Sequence, residues 1–465
     1  MSRSTGIALY NTLSRQLQEV GASKGNQVRI YCCGPTVYRD AHVGNLRTFL
    51  LSDLVARAIR QSGFDVLLVQ NITDVGHMSD DSEDKMLTQA SLEKKDPFAI
   101  AREYESRFHR DLALLNISPA DLYPRASETI ELMLELIAAL IHKGSAYQGE
   151  DGSVYFAAES FSTYGAISGN RLDSLKPGHR YEYTDDGIKR FHADWALWKS
   201  AGGRTQMIWP SPWGEGFPGW HIECSAMSLK FLDGHVDLHI GGIDLRFPHH
   251  ENERAQSNSA SGNEVVDHWL HGEHLLFEGR KMSKSAGNVV LLGDIIERGL
   301  DPLALRLTFL ENRYRAQMDL TWESLIAANS TLKRWRLKMA EWNGLKEVIA
   351  NEIQGLKKEL VEAINQDLDT PRVTQLLRKV ERSTDLDDHA KRAFFLFADG
   401  YLGLELDMKV EVEAISVEIT ELLAARAAAR SNKDFGKSDQ IRDQLIQLGI
   451  EVQDSPDGQK WNRII

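Results

Sequence analysis

The sequence has 465 residues, 42% hydrophobic and 26% charged, enough chain for roughly two to four domains and a large core. It has no run of about 18 apolar residues, which excludes a membrane-spanning helix; its first residues lack the basic-then-apolar pattern of a secretion signal, so a cytoplasmic location is expected. The net charge of −13 argues against nucleic-acid binding and gives little long-range steering, so any RNA contact must rest on a local basic face.

In chain order, residues 27–33 form a short apolar run that predicts a buried strand, followed by a loop with Gly34 and Pro35. Apolar residues at helical spacing (Leu46, Phe49, Leu50, Leu54, Ala58, Ile59) predict a helix over 45–61, stopped by Gly63. A second strand is expected over 65–71, and strand, helix, strand at this length predicts a right-handed parallel crossover. Amphipathic helices are expected over 98–114, with Pro97 in its first turn, and over 127–143. Between about 116 and 206 the pattern is irregular and glycine-rich, as in an insertion, with a strand-like piece at 153–156. An α/β pattern resumes near Ile208, with a helix over 221–231 and a strand over 236–240. Beyond Trp322 helical periods dominate (327–341, 352–365, 374–383, 388–402, 412–431, 437–448), and a turn-rich stretch at 454–458 precedes Trp461.

Three groups of residues carry chemistry. His42-Val43-Gly44-Asn45 stands between the first strand and the first long helix, where a helix N-terminus favours phosphate and Gly44 permits close backbone approach. Alone, so short a string recurs by chance and reads as a polar helix entry. Lys281-Met282-Ser283-Lys284-Ser285 is a cationic loop able to clamp charge on a departing phosphate. The third group is Cys33, the string Gly219-Trp220-His221-Ile222-Glu223-Cys224 and the string His249-His250-Glu251-Asn252-Glu253. Its residue types suit zinc, and His249 and Glu253, four apart, share a helix face. By residue type alone, the three cysteines of the chain (Cys32, Cys33, Cys224) read as buried inert thiols before metal ligands; an adjacent pair and an odd count are a poor disulfide framework, which fits a reducing compartment.

Other signals fail on context. Gly214 to Gly219 matches a dinucleotide fingerprint but follows no strand and contains Pro218. Gly436-Lys437-Ser438 lacks the first glycine of a phosphate loop, and Arg254 stands where a metalloprotease string from His250 needs histidine. His271 and His274 are expected to pack rather than to ligate.

The first two motifs together resemble the signature pair of class I aminoacyl-tRNA synthetases, with Asn45 where that family most often has a second histidine. The third group, with Tyr38, Asn71-Ile72-Thr73-Asp74, Leu197-Trp198-Lys199, Trp209 to Gly214 and Gly449 to Trp461, resembles the cysteinyl-tRNA synthetase family along nearly the whole chain. A local departure is Ile240, where that family often begins three glycines after the histidine.

The resemblance implies an α/β, Rossmann-like parallel-sheet catalytic domain in two halves (1–117 and 207–254) around an inserted connective domain (118–206). A stem-contact region (255–321), a helical bundle (322–411) and an anticodon-binding domain (412–465) follow. It implies zinc, one per subunit, on Cys33, Cys224, His249 and Glu253. ATP, accompanied by magnesium, falls to His42, Gly44, Asn45 and Lys284, catalysis to His42, Asn45, Lys281 and Lys284, and the amino acid to Trp220, Thr73 and His239. Arg430, Phe435, Arg442, Asp454 and Trp461 are implied to hold tRNA by stacking and edge contacts; Phe435 stands where the family often has tryptophan. The implied reaction joins L-cysteine to ATP and then to the terminal adenosine of tRNA(Cys), in a monomer. Zinc selects the thiolate over serine, for which the substrate sulfur must enter as a fifth ligand or displace Glu253. The main alternative is a cysteine ligase of thiol biosynthesis that shares this core; residues 412–461 argue against it. A zinc-stabilised RNA-binding scaffold and a small-molecule nucleotidyltransferase are weaker rivals.

Overall fold

The computed structural model describes residues 3–76, 84–176, 188–282, 287–342, 353–409, 417–455 and 458–463. Arg3–Asn11 (β1) and Gln16–Ala22 (β2) pair as an antiparallel hairpin for which the sequence carried no expectation. Its inward positions Thr5, Ile7, Leu9 and Asn11 alternate as a strand requires, but Thr5 and Asn11 are polar and mask the period. Gln27–Cys32 (β3) is buried from Val28 onward, as a strand covered on both faces must be. Val43–Gln61 (α1) follows, then Asp65–Gln70 (β4), which pairs parallel with β3.

Helix α1 starts at a His42 cap and buries Leu46, Phe49, Leu50 and Ile59 against the sheet. It also buries Arg47, which donates to the carbonyls of Glu273, His274, Arg313 and Ala316 at 2.9–3.1 Å. Four carbonyl acceptors satisfy a guanidinium that has left water, and they tie α1 to two downstream segments.

Lys85–Glu93 (α2) and Pro97–Leu114 (α3) pack together, each capped by an aspartate, Asp84 and Asp96. Ile130–His142 (α4) leads into Ala146–Gln148 (β5), Val154–Phe156 (β6), Trp195–Ser200 (β7) and Gly216–Pro218 (β8), a separate antiparallel sheet. That sheet runs past the insertion boundary expected at 206. Trp220–Phe231 (α5), Leu238–Gly242 (β9), His249–Ser261 (α6) and Trp269–Gly272 (β10) complete the catalytic layers.

The parallel sheet has the order β10-β9-β3-β4, so it continues well beyond the boundary expected at 254. Ile240 sits fully buried in the middle of β9, paired to Cys32 and Leu270, and the strand stays regular. At Gly241 a Cβ would lie 2.5 Å from the His250 ring, so glycine is required there and not at 240.

Leu275–Phe277 (β11), Arg280–Lys281 (β12) and Met318–Leu320 (β13) form a small sheet, with Leu292–Glu297 (α7) and Pro302–Leu310 (α8) between them in sequence. Trp322–Glu341 (α9), Gln354–Asn365 (α10), Thr370–Arg382 (α11) and Asp388–Leu402 (α12) form the helical region. No described helix is long and apolar enough to cross a membrane.

A second compact unit spans Met408–Ile465. Val417–Ser431 (α13) and Phe435–Gln447 (α14) precede the hairpin Ile450–Ser455 (β14) and Gly458–Arg463 (β15), so strands flank the expected turn-rich stretch. Its small core is Ile419, Leu423, Ile441, Leu445, Ile450 and Val452.

Candidate active site

A cleft of about 370 Å³ opens beyond the carboxyl ends of β3, β9 and β10, where open α/β sheets bind ligands. Cys33 and Tyr38 after β3, Asp244 after β9 and His274 after β10 line it, as do His42, Gly44, Asn45, Trp220 and Lys281. Lys284 lies outside the described residues.

The entry to α1 sets the chemistry of one end. His42 Nδ1 accepts the main-chain N–H of Gly44 at 3.1 Å and of Asn45 at 3.3 Å. An acceptor Nδ1 leaves the proton of a neutral ring on Nε2, which is therefore a donor. Burial, then the charge of Arg39, lowers the pKa of His42, with Asp244 opposing, so the neutral form prevails at pH 7. Asn45 Oδ1 accepts the His42 N–H at 3.2 Å, which leaves its amide N–H groups as the donor side. The histidine common at this position is thus replaced by a residue that closes the cap and keeps a donor. At Gly44 a Cβ would lie 3.0 Å from the His42 ring and 3.1 Å from Met282, so a side chain would press on both.

At the floor of the cleft, Cys33 belongs to a buried cluster of groups that could hold a metal ion. Cys33, just after β3, lies 3.9 Å from Cys224 Sγ on α5 and 3.6 Å from Glu253 Oε1 on α6. His249 Nε2 meets Glu253 Oε1 at 3.0 Å, one helical turn apart. One donor atom from each of these four residues lies within 4.8 Å of all the others, and every one is buried. His239 Nε2 and His250 Nε2 reach the same sulfur of Cys33, at 3.4 and 3.3 Å, so a second set, Cys33, His239, His250 and Glu253, shares the centre. Behind the cluster, His221 meets His249, and His250 meets His271, each at 2.8 Å, while His271 meets Thr12 at the same distance.

Electrostatics polarises the cluster. Burial alone depresses His249, but Glu253 and hydrogen bonds to Cys224 and Glu253 lift its pKa to about 10. Burial pushes the Cys33 thiol up, and Cys224 adds to this. Burial also opposes ionisation of Cys224, yet the bond from Cys33 and the pull of His249 bring its pKa down. His239 is held neutral by burial, with a pKa of about 4.

The expected amino-acid residues divide. Trp220 lines the cleft and packs its ring 4.3 Å from that of His249. Thr73 and His239 are not on the described wall of the cleft: Thr73 Oγ1 donates to Glu223 at 3.0 Å, and His239 stacks on Trp269 beside Cys33. His221 and His250 stand in the quoted strings without a site role of their own, and His271 is expected to pack; only the meeting of α5, α6 and β10 gathers the three beside the cluster.

In the second unit, Asp454 is held by Arg426 through two bonds of 3.0 and 3.1 Å, and Arg430 joins it at 2.9 Å. Arg426, 1% exposed, carried no sequence signal; it takes both carboxylate oxygens of the residue expected to accept from a base. Phe435 is 58% exposed and Arg442 is exposed, whereas Trp461 packs partly against the small core.

Residues 19–330 match the family model described as tRNA synthetases class I (C) catalytic domain, and residues 413–461 match the cysteinyl-tRNA ligase anticodon binding domain. A cysteine–tRNA ligase of Thermus thermophilus is 41% identical, across 98% of this chain and 99% of its own. Those of Phocaeicola vulgatus and Thermococcus onnurineus are each 36% identical, over 98% of this chain and 98% and 99% of theirs. A methionyl-tRNA synthetase of Mycobacterium tuberculosis, solved with methionyl-adenylate, shares the fold with a TM-score of 0.56 at 16% identity, covering 82% of this chain and 90% of that one. By catalytic model, anticodon-domain model and near full-length relatives alike, the chain belongs to the cysteine–tRNA ligase family of class I tRNA synthetases.

Proposed function

We propose that the chain activates L-cysteine with ATP and transfers it to the terminal adenosine of tRNA(Cys). One observation carries this reading: a single cleft has the His42 loop and Lys281 on its wall and Cys33, a member of the buried donor cluster, on it as well. Phosphate-binding and thiol-selecting groups thus serve one cavity.

The donors fit zinc. Bonds of about 2.0–2.3 Å set tetrahedral ligands roughly 3.3–3.8 Å apart, close to the 3.9 Å between the two sulfurs and 3.6 Å from Cys33 to Glu253. Glu253 Oε2 accepts no hydrogen bond among the described residues although it is buried, a state that a cation relieves. Cys33, Cys224, His249 and Glu253 would hold one ion, the set with two thiols being the better match to zinc. Bound zinc supplies a preference for thiolate over the hydroxyl of serine, and the His221 bond to His249 orients that ligand.

The cysteine carboxylate is already an anion at pH 7 and attacks the α-phosphate without a general base. Pyrophosphate leaves; the tRNA ribose hydroxyl then attacks the aminoacyl carbonyl, releasing AMP. Catalysis is positioning and charge stabilisation. His42 Nε2 and the Asn45 amide donate to the phosphates, Gly44 leaves room beside them, and Lys281 and Lys284 offset the charge of the departing pyrophosphate, with magnesium on the nucleotide. Trp220 flanks the substrate side chain; Thr73 and His239 act from behind the wall, through Glu223 and Cys33. Segment 255–321 meets the acceptor stem, and Arg430, Phe435, Arg442 and Trp461 meet the anticodon, with Asp454 orienting Arg430. A cytoplasmic monomer is part of the same reading. The anticodon-domain match at 413–461 supports tRNA over an amino sugar as acceptor.

The test is ATP–pyrophosphate exchange with each amino acid, before and after zinc removal, then tRNA charging. Exchange with cysteine alone, lost on chelation and restored by zinc, supports the reading; no exchange with cysteine in zinc-loaded protein defeats it. In the charging assay Phe435→Ala should raise the KM for tRNA about tenfold without changing exchange, as loss of one stacked base would; an unchanged KM removes Phe435 from the interface.

A further inference from the structure

We propose that Arg39 is a further catalytic residue of this site, contacting the β- and γ-phosphates of ATP; the inference rests on the activation chemistry just described. Arg39 is half-buried on the cleft wall, three residues before His42. Its guanidinium lies 5.1 Å over the Tyr38 ring, which fixes its plane without using its N–H donors. The adjacent carboxylate, Asp40, does not take it. Asp40 is engaged by Arg107 at 3.1 Å, and Arg107 is also held by Glu103 at 2.6 Å. Among the described residues Arg39 has neither a carboxylate partner nor a hydrogen bond, in a chain whose arginines are mostly paired.

A guanidinium on a cleft wall with no anion of its own matches a planar pair of phosphate oxygens. Its place is also electrostatically coupled to the phosphate end of the cleft, since its charge helps to keep His42 neutral. Lys281, on the same wall, is the companion cation. The nucleoside end gains nothing from a cation, so the discrimination falls between ATP and AMP.

The experiment compares Arg39→Gln and Arg39→Lys with the unaltered chain, zinc-loaded, in cysteine-dependent ATP–pyrophosphate exchange and in equilibrium dialysis with ATP and with AMP. Arg39→Gln should lower kcat/KM for ATP and the affinity for ATP by about tenfold to a hundredfold, the effect of losing a charge-assisted contact. Affinity for AMP and KM for cysteine should stay within about twofold. Arg39→Lys should recover part of the loss, which a purely structural role would not do. Unchanged ATP affinity, an equal loss for ATP and AMP, or an effect confined to the KM for tRNA would each overturn the proposal. If the unaltered chain shows no exchange with cysteine, the activation chemistry itself fails, and dialysis still decides whether Arg39 holds the triphosphate.

Discussion

The two ends of the cleft are built on opposite principles. At the floor, Cys33, Cys224, His249 and Glu253 are each 5% exposed or less, packed among further histidines, with their donor atoms already gathered. At the other end, where the phosphates are proposed to bind, Arg39 and His42 are half-buried and Lys281 is exposed, and all three line open space. On the proposed function, the difference follows from the ligands. A thiol is told from a hydroxyl by one bond to one atom, which demands a dry and rigid site. A triphosphate is a spread of charge that must enter, react and leave as pyrophosphate, which demands cations that tolerate water.

The largest expected effect breaks the floor. Cys224→Ser should lower cysteine-dependent exchange about a hundredfold or more, beyond what loss of an outer-shell partner costs, together with loss of bound zinc by atomic absorption. Full zinc content with full selectivity would shift the ion to the second set, through His239 and His250. At the other end, His42→Asn keeps an oxygen to cap α1 but alters the donor proposed to reach the phosphates. Exchange should fall about tenfold to a thousandfold, in the range seen for lost charge-stabilising donors, while the melting temperature barely moves because the cap survives. A fall in melting temperature with unchanged kcat would make His42 a cap alone.

The smallest effect tests whether dryness has a cost in acid. His268 is 3% exposed, and burial lowers its pKa to about 4. In the unfolded chain it takes a proton near the ordinary histidine value of about 6.5, so the unfolded state gains protons first as pH falls. Stability is therefore complete above about 6.5 and declines as pH drops towards 4, by up to roughly 3 kcal/mol from this group. His268→Gln should flatten the melting temperature between pH 7 and 4.5 relative to the unaltered chain; parallel curves would mean that His268 is charged in the fold.

Much of the site was legible because it is local. A polar string before an apolar helical period marks the entry of α1, and four-residue spacing puts His249 and Glu253 on one face. The N-terminal hairpin was not legible, since Thr5 and Asn11 point inward beside Ile7 and Leu9 and blur the alternation. The extent of the sheet was also hidden, because β10 joins β9 only after the long α6 excursion.

The sequence by itself determined the family, the types of ligand available and the helices and strands that carry them, because period, cap and motif are written within a few neighbouring residues. Tertiary structure alone decided the rest. It brought His239 and His250 to the sulfur of Cys33, set Arg426 on Asp454, and gave Arg107 rather than Arg39 to Asp40. These are pairings between elements far apart in the chain, and which donor meets which acceptor follows from how whole layers pack, a relation that no local pattern encodes.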